Sequence, residues 1–218
     1  VSERYRWAGG EEAALTFQAS GPVRLLVLQP LFEEANRTRH MIVSAMRRLA
    51  AAGIGTTLPD LPGMGESLTP LADVTFDAWR DAARAAATAF DATATLAFRG
   101  GALIDDAAAL AHGWRLTPEN GARIVRDLER ASIETLSGTH VRAAGNVVRQ
   151  DMIEALRAAT PAPLGQARTV RLATEAADAD AKLPGTPLWR RSEPGDDPRL
   201  EDAIVADIVA WVRTCAAS

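Results

Sequence analysis

The sequence predicts an α/β protein: a doubly wound, mostly parallel sheet with a minimal cap. Three observations carry this. Short apolar runs such as Val23-Arg24-Leu25-Leu26-Val27-Leu28 read as strands covered on both faces. Amphipathic helical stretches alternate with them through short links, the signature of right-handed crossovers. The run Thr93-Ala94-Thr95-Leu96-Ala97-Phe98-Arg99-Gly100-Gly101-Ala102-Leu103 places small residues, Ala97 and Gly101, two positions either side of Arg99. A strand turning sharply into a helix needs small residues there, because larger side chains collide across the turn.

The elements follow in order. A strand is predicted over 13–19, broken by Ser20-Gly21-Pro22. The Val23 strand leads into a loop over 29–35. A helix then spans 36–52, with Asn36 as N-cap, Met41, Ile42, Ala45 and Leu49 as its stripe, and Gly53 as its stop. Gly55-Thr56-Thr57-Leu58 is a short strand. It runs into the turn-rich loop Pro59-Asp60-Leu61-Pro62-Gly63-Met64-Gly65-Glu66-Ser67. The next helix covers 76–90, with Phe76, Trp79, Ala83, Ala86 and Phe90 inward. The Thr93 strand, the Arg99 turn and a helix through Ala111 follow.

The second half is less regular. Trp114-Arg115-Leu116 reads as a shortened strand. Helices are expected over 121–133 and 147–159, separated by 134–146. Residues 168–173 alternate like a strand, Pro187-Leu188-Trp189-Arg190 reads as the last one, and 200–212 as the closing helix. The expectation is one domain over 1–218, with 118–165 a small helical excursion in place of a cap.

Composition narrows the function classes. The chain is 47% hydrophobic and 24% charged, ordinary for a globular protein. A net charge of −4 gives no basic footprint for nucleic acid. Cys215 is the one cysteine, so neither an intrachain disulfide nor a cysteine metal cluster can form. No apolar run reaches about 18 residues and the first residues lack a signal-peptide h-region. A cytoplasmic location without membrane span is therefore expected. Lys182, the single lysine, falls in a polar loop. No His, Asp and Glu spacing resembles a metal site, and Gly63 and Gly65 do not open a helix as a dinucleotide fingerprint would. No cofactor is expected.

Three pieces together resemble the α/β-hydrolase superfamily: the Val23 strand with its following loop, the D-x-x-G-x-G-x-S run Asp60-Leu61-Pro62-Gly63-Met64-Gly65-Glu66-Ser67, and the elbow-like turn at Arg99. Four segments are also similar to the exosortase-A-system-associated hydrolases. They are Gln29-Pro30-Leu31-Phe32-Glu33-Glu34-Ala35-Asn36-Arg37-Thr38-Arg39, the Trp79 helix, Phe98-Arg99-Gly100-Gly101-Ala102-Leu103 and Pro187-Leu188-Trp189. That resemblance implies an α/β-hydrolase-like core and a context of exopolysaccharide and protein-sorting gene neighbourhoods.

The sequence departs from the superfamily where the chemistry sits. The elbow apex, normally Ser, Cys or Asp, is Arg99. The loop expected to hold the catalytic His is Ser192-Glu193-Pro194-Gly195-Asp196-Asp197-Pro198. His40, His112 and His140 are expected on or beside helices elsewhere. Glu175, Asp178 and Asp180 could orient a His, but none stands there to orient. Ser67 reads as a loop-shaping residue, and Ser44 as a packed one. The candidate binding residues are Arg99, Gly100, Phe32, Glu33, Glu34 and Asn36, for a small anionic ligand or a protein partner. Arg99 with the helix start at Gly100 would grip a carboxylate or phosphate. The competing reading pairs Arg99 internally with Glu33 or Glu34, and it weighs more, because an unpaired arginine in a partly dry cleft is costly. Two acids in that loop would also repel a tetrahedral oxyanion. An active esterase or thioesterase with relocated groups is the alternative.

Overall fold

A computed structural model describes residues 1–131, 133–136 and 139–215. Six strands come first: β1 (Ser2–Trp7), β2 (Gly10–Phe17), β3 (Arg24–Leu28), β4 (Gly55–Pro59), β5 (Ala94–Phe98) and β6 (His112–Leu116). Three short ones follow, β7 (Ile133–Thr135), β8 (His140–Ala143) and β9 (Asn146–Arg149), then β10 (Gln166–Leu172) and β11 (Ala181–Leu183). The helices are α1 (Glu33–Ala51), α2 (Phe76–Ala89), α3 (Gly121–Ala131), α4 (Gln150–Ala158) and α5 (Pro198–Cys215).

The main sheet runs β1-β2-β4-β3-β5-β6-β10-β11. The β1–β2 and β2–β4 pairings are antiparallel and the rest parallel. Chain order reverses beside β3, with β4 on one side and β5 on the other. The carboxyl ends of β3 and β5 therefore open a crevice, where ligands bind in open α/β sheets. Alternation along β3 divides the core. Leu25 and Val27 pack with Met41, Ile42 and Leu49 of α1 and Ile204 and Ile208 of α5. Leu26 and Leu28 pack with Trp79, Ala83 and Ala86 of α2. The doubly wound sheet predicted from the sequence is observed.

Several elements differ from expectation. β1 escapes the hydrophobic pattern because this edge strand carries Ser2, Glu3, Arg4 and Arg6 and buries only Tyr5 fully. α1 begins three residues early, with Phe32 rather than Asn36 as N-cap. Glu33 and Glu34 then fill its first turn, where the helix dipole favours acids. Pro187-Leu188-Trp189-Arg190 is not a strand: 188–190 form a 3₁₀ turn, and the last strand is β11, only three residues long. The excursion over 118–165 is not purely helical. The β7-β8-β9 sheet stands between α3 and α4, and β9 takes the first residues of the helix expected from 147. Residue 132 of the helix expected over 121–133, and 137–138 of the link after it, lie outside the described residues.

The largest change follows Arg99. No α-helix runs to Ala111. Two 3₁₀ turns, Arg99–Leu103 and Asp105–Ala108, take its place. Asp105 and Asp106 hold the chain in this shape. Asp105, fully buried, accepts two 2.7 Å bonds from Arg115 of β6. Asp106 accepts bonds of 2.8 and 2.7 Å from Arg80 of α2. Bonding to Arg80 outweighs partial burial and holds the Asp106 carboxyl below its ordinary value. A depressed carboxylate stabilises the fold above its unfolded pKa, about 3.9, and loses that contribution as pH falls through the folded value. Arg80→Gln is therefore expected to lower the melting temperature at neutral pH. The gap from the parent should narrow below about pH 4. Thermal scans across the acid limb check this, and a gap independent of pH would refute it.

Candidate active-site cleft

β5 ends at Phe98, and Arg99 enters the turn with φ 53°, a left-handed conformation rare for a residue with a side chain. A Cβ added at Gly101 would lie 2.3 Å from the Leu28 carbonyl oxygen and 2.8 Å from that of Gln29. Only glycine lets this turn press against the end of β3. The expected strand-to-turn geometry at the carboxyl edge is thus present, and the apex is Arg99.

Arg99 is 4% exposed, and protein groups surround its guanidinium. Nε donates to Glu34 Oε2 at 3.1 Å and Nη2 to Glu34 Oε1 at 3.0 Å, a bidentate pair. Nη1 donates to Glu119 Oε2 at 3.2 Å and to the Thr117 carbonyl at 3.5 Å. The guanidinium carbon lies 4.9 Å from the Trp189 ring centroid. Four of the five N–H donors of an arginine are thereby engaged. Burial works to lower the Arg99 pKa, but the bonds and charges of Glu34 and Glu119 outweigh it and hold it raised. Arg99 is the centre of an internal ionic cluster.

This cluster borders two of three chambers along the sheet edge. One, about 300 Å³, lies between Arg99, Trp189 and Leu128 of α3. Another, about 600 Å³, lies between Arg99, Thr117, Arg171 and Arg190. A third, about 390 Å³, is set off by Phe32 and runs between Asn36, Arg39 and Gly65. The loop after β4 walls the third chamber and is braced from within. Asp60 Oδ2 accepts from the Glu66 amide at 3.1 Å, and Ser67 Oγ accepts from the Gly63 and Thr69 amides at 2.9 and 3.2 Å. Trp79 Nε1 donates to the Pro62 carbonyl at 2.9 Å, and its ring meets Phe32 edge-on. Burial pushes the Asp60 carboxyl up, against the Glu66 amide and Arg39.

The structure scatters the expected binding residues. Arg99 and Glu34 meet as predicted. Glu33 is exposed and makes none of the Arg99 bonds. Phe32 stands between the chambers, and Asn36 faces the third. Gly100 does not offer an anion site at a helix start. It is the second residue of a five-residue 3₁₀ turn and is covered by Ile124 and Leu31, whose atoms lie 2.7 and 3.0 Å from a Cβ placed there. Sequence reasoning missed Glu119 and Thr117, which sit just beyond β6. Their signal was positional: residues at strand carboxyl ends face the crevice.

The histidines lie apart from Arg99. His40 of α1 pairs with Asp196 at 2.6 Å, both exposed. His112 and His140 are the first residues of β6 and β8. His140 Nε2 is 3.0 Å from the Ala72 carbonyl oxygen. Among the described residues, no hydrogen bond joins a serine or cysteine to a histidine. The loop over 192–198 has structural tasks: Asp197 accepts from the Leu200 amide at 3.1 Å and the Thr186 amide at 2.7 Å. Lys182 is in β11, not a loop, and its ammonium donates to the Glu175 and Ala177 carbonyls.

No protein-family model and no curated protein matches the sequence. Solved structures do match in shape. Est1E from Butyrivibrio proteoclasticus with ferulic acid bound superposes at TM-score 0.68 and 11% identity, over 99% of this chain and 100% of that one. Alpha/beta hydrolase domain-containing protein 10 from mouse gives 0.61 and 12%, over 100% and 98%. A thermophilic esterase from Thermogutta terrifontis with malate bound gives 0.60 and 14%, over 98% of each. At such identities the likeness establishes the α/β-hydrolase fold, and the fold hosts many chemistries.

Proposed function

We propose that this protein keeps the α/β-hydrolase scaffold without serine-type acyl transfer and binds a small anionic ligand in the cleft beside Arg99. The observation that carries the proposal is the ionic cluster at the elbow apex. Arginine cannot attack a carbonyl. Glu34, bonded to it, places a carboxylate where acyl transfer needs donors to a developing oxyanion. The loop after β11 carries aspartates in place of a histidine. A ligand class of anions agrees with the arginines lining the chambers on both sides of the cluster. The motif resemblance to the exosortase-A-system-associated hydrolases extends the proposal to a bacterial cytoplasmic role near exopolysaccharide systems. A protein partner seated in the same cleft is the other occupant this reading allows.

One observation favours a second reading, an esterase with relocated groups: the His40–Asp196 pair reproduces the His–acid half of a triad. Turnover of p-nitrophenyl esters separates the two. The binding reading expects rates at the buffer background for the parent and for His40→Ala alike. Parent turnover abolished by His40→Ala would establish the esterase and overturn the binding reading.

A further inference from the structure

We infer that the 390 Å³ chamber beyond Phe32 is a site for a neutral polyhydroxylated ligand, a small saccharide, held by the free amide of Gln29. The site is separate from the Arg99 cleft and does not depend on the reading given for it.

Gln29, the first residue after β3, is 3% exposed and lines this chamber. Its Oε1 accepts from Arg39 Nη1 of α1 at 3.2 Å. An arginine only donates, so this bond fixes which end of the amide is oxygen and leaves Nε2 as the other. Nε2 has no protein partner and, unlike the buried hydroxyls of Thr95 and Thr117, keeps accessible surface. The opening before it is this chamber. The amide is also held in place. Arg39 Nη1 reaches Asp60 Oδ1 at 3.5 Å, and Asp60, 3% exposed, accepts from the Glu66 amide at 3.1 Å. Side chains from the loop after β3, from α1 and from the loop after β4 thus fix one donor at the chamber wall. A donor so fixed and given no protein acceptor is matched by an acceptor from outside.

The rest of the wall gives the ligand's class. The Asn36 amide forms no hydrogen bond among the described residues. Asn146 donates its Nδ2 to the Ala144 carbonyl at 3.3 Å, which leaves its Oδ1 as an acceptor. Glu33 and Glu66, both exposed, add carboxylate acceptors at the rim. Donors and acceptors therefore surround one space, and a hydroxyl, which both donates and accepts, serves either. Charge argues against the other classes. Arg39 is matched by Asp60, and the two rim acids leave the chamber negative, which disfavours an anion. An ammonium would meet the acids but would set a donor against the Gln29 donor. Phe32 and the half-buried Met64 and Leu71 supply an apolar surface for the C–H face of a sugar ring. The volume lies in the range of small-molecule sites.

Nitrogen–proton correlation spectra of the intact, isotope-labelled protein test this, because the Gln29 side-chain amide gives its own pair of signals. The probes are the methyl glycosides of glucose, galactose and mannose, with glucuronate and choline as charged controls. At least one glycoside is expected to move the Gln29 pair saturably, and the controls to leave it in place. Gln29→Glu keeps an acceptor for Arg39 and removes the free donor, so the fold should hold. It identifies the Gln29 signals by their loss. Followed on the Met64 and Leu71 backbone amides, it should weaken the glycoside roughly 5- to 10-fold, a step the size of one hydrogen bond. Asn36→Ala, at an exposed helical position, should weaken it by roughly 2- to 5-fold. Binding unchanged in both variants would overturn the site. So would a Gln29 pair that no glycoside moves, the amide then serving water alone, or one that choline or glucuronate moves more strongly.

Discussion

Replacing Arg99 by methionine is expected to lower the melting temperature by roughly 6–12 °C, through loss of about 3 kcal/mol. The reasoning starts from burial. The arginine side chain is 5% exposed, and methionine fills much of its length without its charge. Glu34 then loses its cation, and Glu119 keeps only the 3.4 Å contact from Arg123. Removing one partner of a buried pair costs about 3–5 kcal/mol. The lower end applies because these carboxylates keep 21% and 18% exposure and can recover some water. Pairing the change with Glu34→Met should restore part of the loss, since replacing both partners by apolar groups is far less costly than orphaning one. A drop below about 2 °C in Arg99→Met would mean that the cluster contributes no more than a solvated surface pair.

Gly101→Ala is expected to destabilise the protein by about 1–3 kcal/mol, or more, and Gly100→Ala by much less. The two positions are adjacent and differ in what a methyl group meets. At Gly101 it meets carbonyl oxygens of Leu28 and Gln29, at 2.3 and 2.8 Å, and these belong to backbone that the parallel sheet holds in place. At Gly100 the nearest atoms are side-chain ends of Ile124 and Leu31, which can turn aside. Urea unfolding of both variants gives the comparison. Equal losses would show that the elbow turn is not wedged against β3.

How far the sequence could be read follows from these same residues. The elbow was legible because a sharp strand-to-helix turn asks for small residues at the places of Ala97 and Gly101, although what Gly101 has to clear is the backbone at the end of β3. The Asp60 loop was legible because its glycines and Ser67 serve one another within eight residues. β1 and β11 were not legible. One is a charged edge strand with a single buried aromatic, and the other is three residues long. The missing α-helix after Arg99 has a tertiary cause. Asp105 and Asp106 fall inside the helix expected through Ala111, and nothing within that segment shows that Arg115, 10 residues on, and Arg80, 26 residues back, will hold them. The cluster was half legible. Glu34 was in view because its loop adjoins the elbow in any such fold, whereas Glu119 required knowing that β6 ends beside β5.

The claim that Arg99 replaces the nucleophile, and that no other residue has taken over, is tested most directly by intact-mass measurement after incubation with a fluorophosphonate. The probe forms a stable adduct with any serine activated by a neighbouring base. The account predicts an unchanged mass under conditions that label a serine esterase completely. A stoichiometric adduct, mapped by peptide sequencing to any serine of this chain, would contradict it.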